Sequence, residues 1–333
     1  MRRVLGAVLV IMGALFLGFG VLAKPYLYDR LAVVPLDQDS TSVSEGTDMD
    51  VLWAHEDEDG QGKIDKLTGV RVVSTRQIRG IPGEVENLGL QDDDAFWQTT
   101  VRSQAEVDGR LVDLSYSDAG VSVDRRTGAA TNCCGDYASA GDLDDPDKIE
   151  PRTYEGQYFK FPFDTKQQEY LWWDSGVQRA DPIRFVEEDE IDGTRVYVFR
   201  QIVGPERIDA REVPGSLFSA SETGNVAADV MYSNTRTLWV EPVTGVVIDG
   251  NEEVSLTYEA EGLDPVARTV GTIGFNADTV ANNAATWGAK ARLLSFIENW
   301  LTLVGVALGV LFIVGGAALL LMRSASTRED VYA

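Results

Sequence analysis

Two long apolar runs lie near opposite ends of this chain, at residues 4–23 and 301–322, and they constrain its fold more than any other feature. Neither run contains a charged residue. A helix of about 20 residues crosses the roughly 30 Å hydrocarbon layer of a bilayer. We therefore predict two transmembrane helices, with the polar segment of residues 24–300 held on one side of the membrane.

The basic residues beside these runs predict which way the chain faces. Arg2 and Arg3 precede the first run, and Arg323 and Arg328 follow the second. Because such residues tend to stay in the cytoplasm, both termini are expected inside the cell and the large segment outside it. A signal peptide cleaved after Ala23 is the alternative to the first helix. The predicted order is a cytoplasmic tail (1–3), a transmembrane helix (4–23), a β-rich extracytoplasmic domain of one or two subdomains (24–290), a helical stalk (291–300), a second transmembrane helix (301–322) and a cytoplasmic tail (323–333).

The chain is strongly acidic, with a net charge of −24. The two tails carry four arginines and two acids, so the segment between the apolar runs carries about −26. A segment of this charge repels nucleic acid and anionic membrane surfaces, so neither is expected to bind it electrostatically. Solubility, cation binding and adaptation to a cation-rich envelope remain as explanations of the charge.

The sequence between the apolar runs is typical of β-strands. Residues 194–203 alternate polar with apolar side chains, and short runs rich in Val, Ile, Tyr, Phe and Thr recur elsewhere. Helical sequence extends from about residue 276 to 322. The predicted fold class is therefore α+β, with a β-rich extracytoplasmic domain held between N- and C-terminal transmembrane helices.

Two short patterns, each present three times, predict where strands turn. Asp-Gly favours the positive φ angles of type I′ hairpin turns. In the second pattern, apolar-acid-x-x-Thr-Gly, the acid and the threonine can accept hydrogen bonds from turn amides. The Asp-Gly pairs are at 108–109, 192–193 and 249–250, and the second pattern is at 64–69, 123–128 and 240–245.

The two cysteines are adjacent, at Cys133 and Cys134. In an oxidising extracytoplasmic space, a cysteine pair is expected to be oxidised. A disulfide between these neighbours that stiffens a tight turn is one interpretation. A bridge to another chain and a free thiol pair are the others.

Catalytic motifs are not found in the sequence. His55 is the single histidine, and it precedes an acidic stretch rather than a nucleophile. No nucleophile elbow, phosphate-binding loop or zinc-binding helix motif accompanies it. We therefore expect a protein that is not an enzyme.

One acidic stretch has the spacing of a calcium-binding loop. Asp57, Asp59, Gln61 and Asp65 match ligand positions of an EF-hand, but Thr68 stands where a bidentate glutamate is expected. This stretch is a weak calcium candidate, and no other cofactor is expected.

Small residues at a spacing of four occur in both apolar runs. Ala14 and Gly18 lie in the first run, and Gly305 and Gly309 lie in the second. Pairs of this kind let helix backbones approach closely. They predict either pairing of the two helices within one chain or association of several chains into a homo-oligomer.

Aromatic residues are concentrated between positions 154 and 173. Such a cluster forms either the core of a sheet or the wall of an apolar cavity. The candidates for lining a cavity are Tyr158, Phe161, Phe163, Tyr170, Trp172 and Trp173.

Within this cluster the chain resembles the actinobacterial porin A family, long catalogued as a domain of unknown function. The resemblance rests on Phe161-Pro162-Phe163-Asp164-Thr165 followed by Tyr170 and by Trp173-Asp174, with support from residues 124–128 and 132–135. It implies a cell-envelope protein, and some members of the family are described as cell-wall channels. The layout also resembles that of class B scavenger receptors, in which a tunnel carries lipids, although no motif is shared.

These observations lead to a first interpretation and two alternatives. The first is a non-enzymatic, two-span envelope protein whose outer domain binds or passes an apolar ligand such as a lipid. The second is an oligomeric, porin A-like channel whose acidic surface favours cations. The third is a structural protein that binds another envelope component. The expected partners are the lipid bilayer, an apolar ligand and further copies of the chain, and nucleic acid is not among them.

Overall fold

A computed structural model describes residues 2–57, 60–139, 148–219 and 221–321. The chain divides into two compact units. Val33–Lys290 forms the first, which we call the β unit, and Met1–Ala32 with Ala291–Ala333 forms the second, the helical unit. The two apolar runs therefore belong to one unit, and the acidic segment forms the other.

The β unit contains twelve strands in the described part of the chain, joined in one antiparallel sheet. The order across the sheet is β6-β5-β4-β3-β2-β1-β12-β11-β10-β9-β8-β7, so each half is a meander and the halves join through β1 and β12. The strands are β1 (Asp39–Glu56), β2 (Gly62–Gly80), β3 (Asp94–Val107), β4 (Arg110–Asp124), β5 (Tyr137–Ser139), β6 (Ile149–Pro151), β7 (Tyr170–Asp174), β8 (Arg179–Ile191), β9 (Thr194–Pro214), β10 (Asn225–Val240), β11 (Val247–Glu259) and β12 (Val266–Phe275).

The two halves of the sheet meet again beyond their outer strands. Gln157 bridges to Ala129, which follows β4, and also to Trp172 in β7. Trp173 of β7 shares a core cluster with Trp97 of β3 and Val121 of β4. The sheet therefore curves enough for strands from opposite halves to bury side chains against one another.

Two of the three predicted Asp-Gly turns are confirmed. Asp108-Gly109 joins β3 to β4 and Asp192-Gly193 joins β8 to β9, with positive φ at all four residues. The prediction at Asp249-Gly250 is wrong, because both residues lie inside β11 and pair with Trp239 and Leu238. There the ladder with β10 overrides the local turn preference.

The described helices lie mostly at the two ends of the chain. They are α1 (Arg2–Ala23), α2 (Asp29–Leu31), α3 (Pro82–Glu86), α4 (Ala277–Ser295) and α5 (Thr302–Leu321), with π-helical turns at Lys24–Tyr28 and Phe296–Leu301. Both terminal helical regions include a stretch long and apolar enough to cross a membrane. Helix α4 begins well before the predicted stalk at residue 291, and Met322 lies outside the described residues.

The first part of α4 packs against the sheet within the β unit. Ala284 shares a buried cluster with Val196 and Ile248, and its carbonyl oxygen accepts a hydrogen bond from the Thr194 hydroxyl at 3.2 Å. At Gly288 a Cβ atom would lie 2.3 Å from the hydroxyl oxygen of Thr194. Glycine is therefore needed where the helix crosses the start of β9.

Candidate functional site

Helices α1 and α5 pack backbone to backbone through glycines. A Cβ atom on Gly6 would lie 2.9 Å from the carbonyl oxygen of Gly316, and one on Gly305 would lie 2.7 Å from Cα of Gly20. Because Cβ atoms essentially never approach other atoms this closely, only glycine fits these positions. The two helices are antiparallel neighbours that touch along most of their length.

Of the small residues predicted to form helix contacts, those of α5 lie against α1 within the chain, and for those of α1 association between chains stays a prediction. Gly305 and Gly309 lie in the interface, but Ala14 and Gly18 face away from it. A Cβ on Gly18 meets no described atom within 4 Å. The physical reason is helix phase: the glycines of α1 that contact α5 are seven apart, at Gly6, Gly13 and Gly20. That spacing, rather than four, was the signal in the sequence.

Two of the acid-x-x-Thr-Gly patterns form matching turns. Asp124 accepts hydrogen bonds from the backbone N–H and the hydroxyl of Thr127, at 2.6 and 2.8 Å. Glu241 accepts the same pair from Thr244, at 2.7 and 2.6 Å. The prediction of a corner at residues 64–69 is wrong, because this stretch lies inside β2.

Lys160 is buried where these two turns come together. A Cβ on Gly128 would lie 3.0 Å from its Cγ, and its Nζ stands 3.8 Å from the ring centre of Phe163. Among the described residues, its Nζ has no hydrogen-bond partner. Burial lowers the pKa of Lys160 to about 7, although the negative charges of Asp124 and Glu241 act to raise it. The amine is therefore held in an environment that favours its neutral form.

A second buried polar group lies on the inner face of β10. The Arg236 guanidinium contacts Asp174 of β7 at 3.1 Å and Glu252 of β11 at 2.9 Å. The Tyr232 hydroxyl also donates to Asp174, at 3.1 Å. Burial would raise the pKa of Glu252, but the charge of Arg236 holds it below its usual value.

Sequence reasoning missed this network, although a signal was present. In β10 every second residue is buried, and this buried set includes Val230 and Leu238. The same alternation puts Asn234 and Arg236 on the inner face. A charged residue at one of the alternating apolar positions of a strand is the sequence signal that could have predicted this network.

The six aromatic candidates pack as two groups of core side chains. The Phe161 ring stacks on those of Trp172 and Phe199, with centroids 5.0 and 4.5 Å apart. Tyr170 joins this group, whereas Tyr158, Phe163 and Trp173 pack in the cluster around Trp97. Ring-to-ring contacts of this kind fill space between strands, as the core interpretation predicts.

The adjacent cysteines are bonded to each other, with an S–S distance of 1.98 Å. Cys134 is buried beside Phe96 and Val85. The preceding residue, Asn132, anchors the cysteine pair to the backbone of Tyr154. Its side-chain NH₂ donates to the Tyr154 carbonyl oxygen and its side-chain oxygen accepts from the Tyr154 N–H, both at 2.8 Å. Of the three states that the sequence leaves open, the structure has the disulfide between the two neighbouring cysteines.

The calcium candidate does not gather its ligands in the described part of the loop. Asp65 lies in β2, where its carboxylate receives hydrogen bonds from Lys63 and from His55, each at 3.0 Å. The Asp57 carboxylate caps the turn by accepting the N–H of Gln61 at 2.8 Å. Asp59 lies outside the described residues. Within the described ranges, no group of three or more His, Cys, Asp or Glu is arranged to hold a metal.

Comparisons with known proteins agree on one family. A family model described as Porin PorA matches residues 5–318. A protein of Corynebacterium amycolatum named Porin PorA is 25% identical over 308 residues, which cover 78% of each chain. A Porin PorA of Corynebacterium resistens is 24% identical over 330 residues, again with 78% of each chain covered.

Proposed function

The chain belongs to the PorA porin family, and from this premise we propose that it is a channel-forming protein of the cell envelope that conducts ions as an oligomer. The observation that carries the proposal is the family match, which extends over both apolar helices and the whole β unit. The named relatives are porins. They therefore favour the channel interpretation over the lipid-passing one, for which the sequence offered only the aromatic cluster.

The packing of a single chain supports an oligomeric channel. In the described part of α1 and α5 the backbones touch at glycines, so these two helices leave no ion path between them. Their remaining surface is apolar and exposed, as at Leu15, Leu311 and Val314. Side chains of this kind face either lipid or neighbouring copies. A conducting path would then form between copies of the chain.

The charge of the protein supports selectivity for cations. A net charge of −24 raises the local concentration of cations near the surface and lowers that of anions. We place the β unit outside the membrane and both termini in the cytoplasm, following the arginines that flank the two helices. Ions would then meet the acidic unit before they reach the bilayer.

Planar bilayers test the proposal directly. Purified full-length protein is added to a bilayer that separates two KCl solutions of different concentration. We expect discrete conductance steps and a zero-current potential whose sign corresponds to K⁺ permeation, with selectivity that weakens at high salt. A blank of the same detergent provides the control. Absence of steps, together with a monomeric mass in detergent, would contradict the channel interpretation.

A further inference from the structure

Four serines lie side by side across the first four strands of the sheet. Ser44 of β1 pairs with Ser74 of β2. Ser74 pairs in turn with Ser103 of β3, and Ser103 pairs with Ser115 of β4. Directly paired residues point to the same face of a sheet, and the hydroxyls of Ser74 and Ser103 are hydrogen-bonded to each other. The four hydroxyls therefore form one polar row, which we call the serine row.

The serine row lies on the inner face of the curved sheet. Val72, two residues before Ser74 in β2, belongs to a buried cluster. Val254 of β11 and Ile273 of β12 pack against the same cluster. Because alternate residues of a strand share a face, Ser74 points into the interior that holds Val72. By the same rule Glu252, two residues from Val254, faces this interior from the other half of the sheet.

Solvent reaches the serine row although strands lie on both sides of it. β1, β2 and β3 each have a neighbouring strand on either edge, yet Ser44, Ser74 and Ser103 are only half-buried. Val72 and Ala105, in the next row of the same face, are 3% and 0% exposed. An inner side chain of a central strand is accessible only if the interior contains a space that water can enter. A cleft therefore lies beside the serine row, next to a dry apolar layer.

This cleft opens along one edge of β4. Strand β5 pairs with β4 only at Ala119 and Gly120. In the described part of the chain, the edge of β4 before Ala119 carries no other strand. Ser115 and Ser117, which share the inner face of β4, are both exposed there. The unpaired edge is thus the side from which a solute reaches the serine row.

Charged side chains from both halves of the sheet face this interior. The Glu252 carboxylate accepts hydrogen bonds from Asn234 Nδ2 at 2.8 Å and from Arg236 Nε at 2.9 Å, and 39% of its side chain stays exposed. On the inner face of β2, Arg76 donates to the Thr99 hydroxyl at 3.1 Å. The charge of Arg76 contributes to the lowered pKa of Glu252, so the two groups lie near each other across the interior.

These charges balance one another. Arg236 is paired with Asp174 as well as with Glu252, and Arg76 supplies the second positive charge. Two arginines against two carboxylates give no net attraction for an ion of either sign. The serine hydroxyls, the guanidinium groups and the carboxylate nevertheless offer both donors and acceptors of hydrogen bonds. Such a mixture suits hydroxyl groups, which donate and accept at the same time.

We propose that this cleft binds a small, uncharged, polyhydroxylated solute. The serine row would line one side of the solute, and Arg76 and Glu252 the other. The proposal adds a binding site within a single β unit to the ion path between copies of the chain, and it does not depend on that path.

Cysteine labelling of the full-length protein in detergent tests this proposal. Cys133 and Cys134 are bonded to each other, so an introduced cysteine is the one free thiol of the chain. An uncharged methanethiosulfonate reagent should modify Ser44→Cys at least about tenfold faster than Val72→Cys, whose thiol lies in the dry layer of the same face. Glucose, as an uncharged polyhydroxylated probe, should slow the modification of Ser44→Cys in a saturable way.

Thr41→Cys is the matched control for glucose, because Thr41 is exposed on the opposite face of β1. Its labelling should be fast and should not respond to glucose. Ser103→Cys, in the same row, gives a second measurement if Ser44→Cys does not fold. Labelling of Ser44→Cys as slow as that of Val72→Cys would show a dry interior, and labelling that glucose does not slow would show an empty cleft. Either result overturns the proposal, whether or not the protein conducts ions.

Discussion

Gly13 and Gly309 lie backbone against backbone, and a Cβ atom on Gly309 would stand 2.9 Å from the carbonyl oxygen of Gly13. Gly309→Leu should therefore force α1 and α5 apart, with an expected loss of about 1–3 kcal/mol as for other overpacked sites. Gly315→Leu is the matched control, because a Cβ there meets no described atom within 4 Å. Thermal unfolding in detergent, followed by circular dichroism, measures both. Equal melting temperatures for the two variants would contradict the glycine contact.

Arg236 connects three strands by charge, and its loss should be among the most damaging single changes in the β unit. Arg236→Ala leaves the fully buried carboxylate of Asp174, and the partly exposed one of Glu252, without their cation, so we expect a loss of about 3–5 kcal/mol. Arg102→Ala removes an arginine from the exposed pair with Asp113, and it should lose at most about 1 kcal/mol. Chemical denaturation of both variants gives the comparison. A mild effect of Arg236→Ala would mean that water reaches the carboxylates.

Gly245 tests whether the matching turns need glycine for space or for backbone angle. Its φ is +73° and a Cβ would lie 2.1 Å from the carbonyl oxygen of Phe161, whereas Gly193 has a φ of +74° and open space. Gly193→Ala should therefore lose only about 1 kcal/mol from backbone strain, and Gly245→Ala clearly more. Melting temperatures measure the difference. Equal losses would show that the turn moves away from Phe161 without penalty.

Local sequence patterns correctly predicted two hairpin turns, each of which joins strands that are consecutive in the chain. Asp108-Gly109 and Asp192-Gly193 each join two adjacent strands, and both turns form as type I′ geometry predicts. Asp249-Gly250 has the same local chemistry but pairs with Trp239 and Leu238 of β10, and β11 begins to pair with β12 at the next residue, Asn251. The chain has already turned at residues 241–246, so Asp249-Gly250 continues the β10–β11 ladder that this turn begins, and the local Asp-Gly pair does not reveal it.

The interior sites depended on distant pairing and were harder to predict. The Arg236 network combines β7, β10 and β11, whose adjacency is known only from the sheet order. The two turns around Lys160 are about 117 residues apart in the chain, as counted from Asp124 to Glu241. Their repeated pattern was visible in the sequence, but the buried amine that both turns approach was not. In α1, the glycines that contact α5 recur every seven residues, so a pattern of small residues four apart did not identify them.

Lys160 gives the protein a pH-dependent stability of defined sign. Its pKa is about 7 in the folded protein against 10.5 ordinarily, so between these values the unfolded chain binds more protons than the folded one. Stability from this group therefore rises as pH increases from about 7 to about 10.5, and it is lowest below pH 7, where the folded protein must bury a charged amine.

Lys160→Met removes this penalty, since a thioether side chain of similar length needs no hydrogen bond in the same space. At about pH 6 the variant should be more stable than the parent chain by about 1–3 kcal/mol, and the difference should shrink by about pH 9. Lys66→Met, at an exposed position of β2, is the matched control and should change little at either pH. Melting temperatures of the three proteins at both pH values make the comparison. A Lys160→Met variant that is less stable than its parent at pH 6 would show that the amine is charged and well paired in the fold.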